Sequence, residues 1–422
     1  MTIFRSHSPD SGKDKHLWAM LLALAAGFAL SQAFRTTAAI LAVPLERDFS
    51  LSPQQIGLFA GAFHFAFGGL QLLMGIGIDV YGVRRTILLA SPLTVIGAVM
   101  AAMAPSFGWL VAGQMLIGVG CAPAFLVCTV FIARHFPASR FAAVSGTVMG
   151  LSSIGMLMTG TPLAWLVDAW SWRAGFGALA LLSTMAWGAI FWRLHEPELP
   201  RDRQIRKPAR MGLGAALASY GVLLRQPFTW GILALSAVGY AAFITLRGLW
   251  LGPLLVTRNG LSLVGTGNVV LVLSVISIFS APIYGRIDPG EPHKRRRWIC
   301  RSALASAAIL CLMALVHSLV LEIGCAMALG VLSGNAVLQY ADVRRAYPPD
   351  QTGRAMAVFT MAMFMGVALM QWATGALASL ALAAGIEPYG AVLIAMAALL
   401  AAGVAAFARL PAPPDEAVGS HG

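Results

Sequence analysis

Charge is what this chain has least of. Asp, Glu, Lys and Arg make up 11% of its 422 residues and hydrophobic residues 58%, against about 25% charged in soluble domains. So little polar surface cannot keep a chain of this length dissolved, which excludes a soluble enzyme or regulator. Carboxylates are scarcer still, with Asp and Glu numbering 17 against 29 Lys and Arg. None of them falls at the middle of an apolar run: Asp79, Asp288 and Asp342 lie towards one face, Asp168 and Glu322 towards the other. The five cysteines, Cys121, Cys128, Cys300, Cys311 and Cys325, have no metal-ligand spacing and read as small core residues. There is no Ser-His-Asp constellation, metal-ligand cluster or phosphate loop, so neither enzyme chemistry nor a metal or cofactor is expected.

What is present is a series of long apolar runs. They predict twelve membrane-spanning helices, α1 to α12, near 17–43, 55–78, 87–105, 109–132, 141–166, 174–192, 229–255, 263–284, 298–316, 319–341, 355–378 and 389–408. The breaks between them hold turn residues or charge. The chain then divides into a first six-helix bundle over 1–192, a linker over 193–228, a second bundle over 229–408 and a tail over 409–422. Within the linker an apolar stretch over 213–224 is too short to span and reads as a surface-lying helix. All Lys and Arg fall in alternate loops and the termini, except Arg47, Arg173 and Arg258 in the opposite loops and Arg35 and Arg247 inside helices. Positive charge marks the cytoplasmic side, so both termini are expected there, in a multi-pass protein of the bacterial inner membrane. The clusters at 201–210 and 294–297 are then topology signals and lipid contacts rather than a nucleic-acid site.

The two exceptions inside helices recur in one pattern. Gly27 to Arg35 reads GFALSQAFR and Gly239 to Arg247 reads GYAAFITLR, each a Gly, an aromatic, an Ala and then an Arg six positions on. Counted from helix starts near Leu17 and Thr229, the two arginines sit at the same depth. An arginine at mid-membrane costs about 2.5–3.5 kcal/mol on the insertion scale, so it faces a partner or an aqueous cavity. Internal pairing would need carboxylates that the spans do not supply near mid-depth. Two guanidinium groups between two halves of a duplicated protein point to an anionic ligand, a carboxylate or phosphate met by planar donors in pairs.

Between the second and third runs stands Gly75-Ile-Gly-Ile-Asp79-Val-Tyr-Gly82-Val-Arg84-Arg85. This resembles the loop signature of the major facilitator superfamily, Gly-x-x-x-Asp-x-x-Gly-x-Arg-Arg. Gly75 suits close helix contact, Gly82 the tight turn, and Arg84 and Arg85 the inside face. As a gating element, Asp79 is expected to hold the cytoplasmic ends of the halves together, with Arg134 or Arg140 as partner. The second-half counterpart, Gly285-Arg-Ile-Asp288 followed by Lys294 to Arg297, is degenerate. The resemblance implies an all-α fold of two pseudo-symmetric six-helix bundles, with alternating access around a site between them. It also implies that α1, α2, α4, α5, α7, α8, α10 and α11 line the cavity. Pairs of Arg on α1 and α7 occur in organophosphate–phosphate antiporters of the superfamily. Family members often carry Arg where Gln114 stands, and Gly150, Gly155, Gly160 and Pro162 are similar to an antiporter pattern without its Gly-Pro core.

The candidate substrate residues are Arg35, Arg247, Gln32, His64, Gln114, Asn335 and Gln371, with Gln71, Asn268 and Gln339 as further polar groups of helix interiors. Each of the neutral ones also has a plain reading as a helix–helix hydrogen bond. His64 is the one mid-span group besides the arginines that can titrate, a carrier for a coupled proton or else a packed neutral histidine. Met and Phe are scattered, and packing or lipid contact accounts for most of them. The expectation is a monomeric secondary transporter of a small organic anion. The alternatives are a multidrug or metabolite efflux antiporter, or a transporter-like receptor that senses a ligand without moving it.

Overall fold

The computed structural model describes residues 11–137, 140–195 and 220–413. Each apolar run winds into a helix because a backbone N–H or C=O finds no water partner in hydrocarbon, and among the described residues there is no strand. Eleven helices there are long and apolar enough to cross a membrane. A twelfth span is the pair Pro53–Gly69 and Gln71–Ile78, bent by 40°. Of the surface helix expected over 213–224, residues 213–219 lie outside the described residues and 220–224 are helical.

The spans are less continuous than the hydropathy pattern suggests. α1 stops at Phe34 and restarts as Ala38–Phe49, with Pro44 inside the second piece. α2 is Pro53–Gly69 with the start of Gln71–Ala102, and α3 is the rest of that stretch, beyond a kink at Gly82. Gly82 takes φ 81° there, a conformation that glycine adopts without steric cost. α4 is Phe107–Cys121 and Ala124–His135, parted by Pro123. α5 comes in three pieces, Phe141–Ser152, Ile154–Met158 and Thr161–Ala169. α6 is Trp172–Arg193. α7 runs from Pro227–Thr245 through π-helical turns at Leu246–Trp250 and Leu254–Arg258. α8 is Leu263–Arg286 and α9 Pro292–Leu315. α10 passes a short 3₁₀ turn, Ser333–Asn335, between Leu319–Leu332 and Ala336–Ala346. α11 is Pro349–Ala383 and α12 Pro388–Arg409.

The helices form two six-helix bundles around a central cavity. One internal contact repeats in both: Gly155 of α5 packs on the carbonyl of Ala29 of α1, and Gly366 of α11 on that of Ala237 of α7. Glycine is required there because a Cβ would occupy the carbonyl's place. Between the bundles, contacts cluster at the end away from the termini. Gly57 of α2 abuts the Gln371 backbone of α11, and Gly252 of α7 abuts that of Ala39. The Gln54 backbone N–H donates to Ser379 Oγ at 3.0 Å. Thr161 Oγ1 donates to Asn268 Oδ1 at 2.7 Å.

Charge at that far end is paired within the protein. Asp48 accepts from Trp172 Nε1 at 2.9 Å and from Arg173 Nη1 at 2.8 Å. Arg258 Nη1 lies 3.3 Å from the carboxylate of fully buried Glu322, which also accepts from Asn259 Nδ2 at 2.5 Å. Two of the three cations that break the loop pattern are thereby neutralised. At the end that carries the termini, Asp288 takes a two-pronged contact from Arg295, at 2.8 and 2.7 Å. Arg345 donates to the Gly290 carbonyl beside it. The counterpart of the loop signature, degenerate by sequence, is thus structurally engaged.

Candidate binding cavity

A cavity of about 590 Å³ lies between the bundles, within the usual range of about 300–1,000 Å³ for small-molecule sites. Its walls come from the terminal-end stretches of α5, α8 and α10, such as Gly146, Ser277 and Tyr340, and from mid-span residues of α1, α2, α7 and α11. The far-end contacts close it on one side, so this conformation faces the end that carries the termini.

Arg35 is the charged side chain of this cavity among the described residues that line it. Its position follows from the break in α1, since residues 35–37 form a turn between two helical pieces. Thr36 Oγ1 donates to the Ala33 carbonyl at 3.1 Å and Thr37 Oγ1 to that of Phe34 at 3.2 Å, covering groups freed by the break. The guanidinium donates through Nη1 to Gln32 Oε1 at 2.8 Å and through Nη2 to Ser31 Oγ at 3.2 Å. Its carbon lies 4.5 Å from the ring centre of Phe67 and 4.7 Å from that of Phe364, one ring from each half. Such contacts stabilise a desolvated cation by about 2 kcal/mol each. Nε is left without a hydrogen-bond partner. The cation is thus oriented by oxygens and aromatic faces and neutralised by none of them.

Arg247 sits differently. It is wholly buried, does not line the cavity, and lies in the first π-helical turn of α7. Nη2 donates to the Met156 carbonyl of the other half at 3.0 Å and to Ser274 Oγ at 2.6 Å. Nε and Nη1 have no partner. The equal depth expected for the two arginines is corrected by the repeated glycine contact. Arg35 follows Ala29 by six residues (35 − 29) and Arg247 follows Ala237 by ten (247 − 237). Those four extra residues are about one helical turn, roughly 6 Å. They carry Arg247 past the cavity into the far-end closure.

Of the other expected site residues, Gln32 and Asn335 line the cavity, as do Gln71 and Gln339. His64, Gln114 and Gln371 are each buried outside its wall. His64 holds Nδ1 3.2 Å from its own helix's Ala60 carbonyl and stacks on Phe364 with ring centres 6.3 Å apart. Asn268 belongs to the far-end closure. In the gating signature, Arg84 Nε donates to the Leu194 carbonyl of α6 at 2.6 Å and Arg85 is exposed. A Cβ on Gly75 would meet its nearest neighbour, Leu126, only at 4.0 Å. The close helix contact expected at Gly75 is therefore absent in this conformation, in which the terminal ends stand apart. The Asp79 side chain, and with it the expected pairing to Arg134 or Arg140, lies outside the described residues. Sequence reasoning passed over Phe67 and Phe364. The spacing of Phe59, Phe63 and Phe67, four residues apart, was the available signal for one aromatic face of α2.

Residues 23–337 match the Major Facilitator Superfamily. The chain belongs to that superfamily. It is a membrane transporter with a small-molecule substrate. The transporter is 24% identical over 307 residues, 72% of its length, to the hexuronate transporter of Bacillus subtilis (strain 168), covering 71% of that protein. In fold it is similar to a bacterial homologue of the human lysosomal transporter Spinster, in an inward-facing and occupied conformation. The TM-score is 0.70 at 17% identity, over 92% of this chain and 94% of that one. It is also similar to a D-xylose–proton symporter, with a TM-score of 0.71 at 15% identity over 91% and 97% of the two chains.

Proposed function

We propose that this transporter carries a small organic anion across the bacterial inner membrane as a monomer, by alternating access, with both termini in the cytoplasm. The observation that carries the reading is Arg35, a buried cation held at the cavity by Gln32 and Ser31 and faced by no carboxylate among the described residues. Hexuronate transport by the Bacillus subtilis relative supports an organic acid. The distribution of Lys and Arg supports the orientation, and membrane lipids are the expected contacts of the basic loops. In the inward-facing state Arg35 takes the anion. Arg247 takes its share when the far end opens, because its bond to Met156 crosses between the halves and separates as they part. A coupled proton is the remaining partner, and the packing of His64 favours a neutral imidazole over a proton carrier. Asp79 closes the cytoplasmic ends in the opposite state.

The test is a thermal-stability screen of the purified protein against small carboxylic and phosphoric acids, with neutral and cationic counterparts. Acids are expected to raise the melting temperature, and Arg35→Gln to remove the effect while Arg35→Lys keeps part of it. Stabilisation by a neutral or cationic series that survives Arg35→Gln would overturn the proposal.

A further inference from the structure

From the walls of the cavity we infer that its ligand is a monoanion with an aromatic or otherwise flat apolar body, rather than a sugar acid or a dianion. This rests on Arg35 as the anion anchor and adds what the rest of the cavity selects. First, charge: Arg35 is the one cation among the described residues that line the site, and its Nη1 and Nη2 already donate within the protein. Each of those two nitrogens keeps a second N–H, and this remaining pair suits one carboxylate. A second negative charge in the same cavity would stand without a counter-charge in a region of low dielectric.

Second, the surface around the anchor is aromatic. Phe67 and Phe364 pack against the guanidinium from one side, their ring centres 4.5 Å apart, Tyr240 packs edge-on to Phe364 at 5.4 Å, and Phe28 packs on Phe125 at 5.3 Å. All five line the cavity. Rings held in this way offer faces and edges to another ring.

Third, the hydroxyls are committed. Ser153, Ser277, Ser306 and Ser333 each donate to a carbonyl of their own helix, at 2.8, 2.8, 3.0 and 2.7 Å. Gln32 gives its carbonyl oxygen to Arg35. A ring of hydroxyls would therefore find the serine protons already given, and its oxygens would depend on the remaining amide and tyrosine donors of the wall, such as Gln71 and Gln339. A flat apolar body loses nothing there and removes its own surface from water.

The experiment is calorimetric titration of the full-length purified protein with four probes. They are benzoate and cinnamate as aromatic monoanions, D-glucuronate as the polyol monoanion, phthalate as the aromatic dianion, and benzamide as the neutral isostere. Benzoate or cinnamate is expected to bind at least tenfold tighter than glucuronate, phthalate or benzamide. Arg35→Gln should remove that binding, and Phe67→Leu should narrow the gap between the aromatic acids and glucuronate. Glucuronate binding as tightly as the aromatic acids, with loss in Arg35→Gln, overturns this inference and leaves the anion reading standing. Benzamide binding as tightly as benzoate, unchanged by Arg35→Gln, overturns both. No measurable binding of either aromatic acid also overturns the inference, whatever the other probes do.

Discussion

Arg35 and Arg247 share a residue type and a sequence pattern, yet their surroundings assign them different work. Arg35 lines the cavity with Phe67 and Phe364 packed against its guanidinium, whereas Arg247 bridges the halves behind the wall. A charge-assisted hydrogen bond contributes about 1.5–3 kcal/mol, which is a factor of about ten to a hundred in affinity. Arg35→Gln is therefore expected to weaken anion binding by that factor. Arg247→Gln should leave binding to this conformation within twofold and slow transport instead. Titration beside tracer exchange separates the two effects, and equal losses of binding would refute the division. His64 supplies a third residue-scale prediction. Its imidazole is enclosed by Phe63, Phe364 and its own helix. His64→Gln should keep the wild-type pH profile of uptake, and a flattened profile would restore it as a proton carrier.

At the scale of helices, the breaks matter more than the runs. α1 turns at residues 35–37 and α7 loosens into a π-turn at Leu246–Trp250, so both arginines stand where winding departs from the α-helix. Irregular backbone is tolerated at membrane depth only where protein or a cavity surrounds it. The glycine contacts at the far end are equally local. A side chain on Gly57 would run into the Gln371 carbonyl, so Gly57→Leu should prop that end open. Labelling of Asn268→Cys by a membrane-impermeant maleimide from the far side should then rise several-fold, and unchanged labelling would show that closure does not depend on this contact. At the opposite end, the hydrogen bonds from Arg295 hold the Asp288 carboxyl below its ordinary range against the opposing effect of burial. A carboxyl depressed in the folded state contributes stability above its unfolded pKa and loses it as pH falls through the folded one. Asp288→Asn should be less stable than the wild type at neutral pH, by about 1 kcal/mol for a partly exposed pair. The two melting temperatures should converge below pH about 4.

For the whole molecule, number, order and type of elements were legible because hydrocarbon allows so few solutions: an apolar run of span length has to be a helix. The kink at Gly82, the buried cation at Arg35 and the places of Gln32 and Asn335 in the cavity wall were legible too, as a glycine turn, a charge inside a span and rare polar groups of helix interiors. The rest was not, for reasons that are physical. Hydropathy averages over a turn or more, so it hides the breaks at 35–37 and at Pro123. Matching Gly27 with Gly239 gave the wrong register for α7, because the glycines that fix register are Gly155 and Gly366 on the partner helices. Phe67 and Phe364 looked like any other apolar residues, since a ring that flanks a cation has no separate mark in sequence. The loss of contact at Gly75 belongs to one conformation of a moving molecule, and a sequence encodes all of them at once.

The claim on which the rest depends is that an anion held by Arg35 is what the two halves carry between the faces of the membrane. Uptake of the tightest-binding labelled acid into proteoliposomes, for the wild type, Arg35→Gln and Arg35→Lys at equal reconstituted amounts, tests it most directly. The account predicts saturable uptake by the wild type, uptake at least tenfold slower with Gln, and an intermediate rate with Lys. Wild-type uptake by the Gln variant, or binding without any uptake by the wild type, would contradict it.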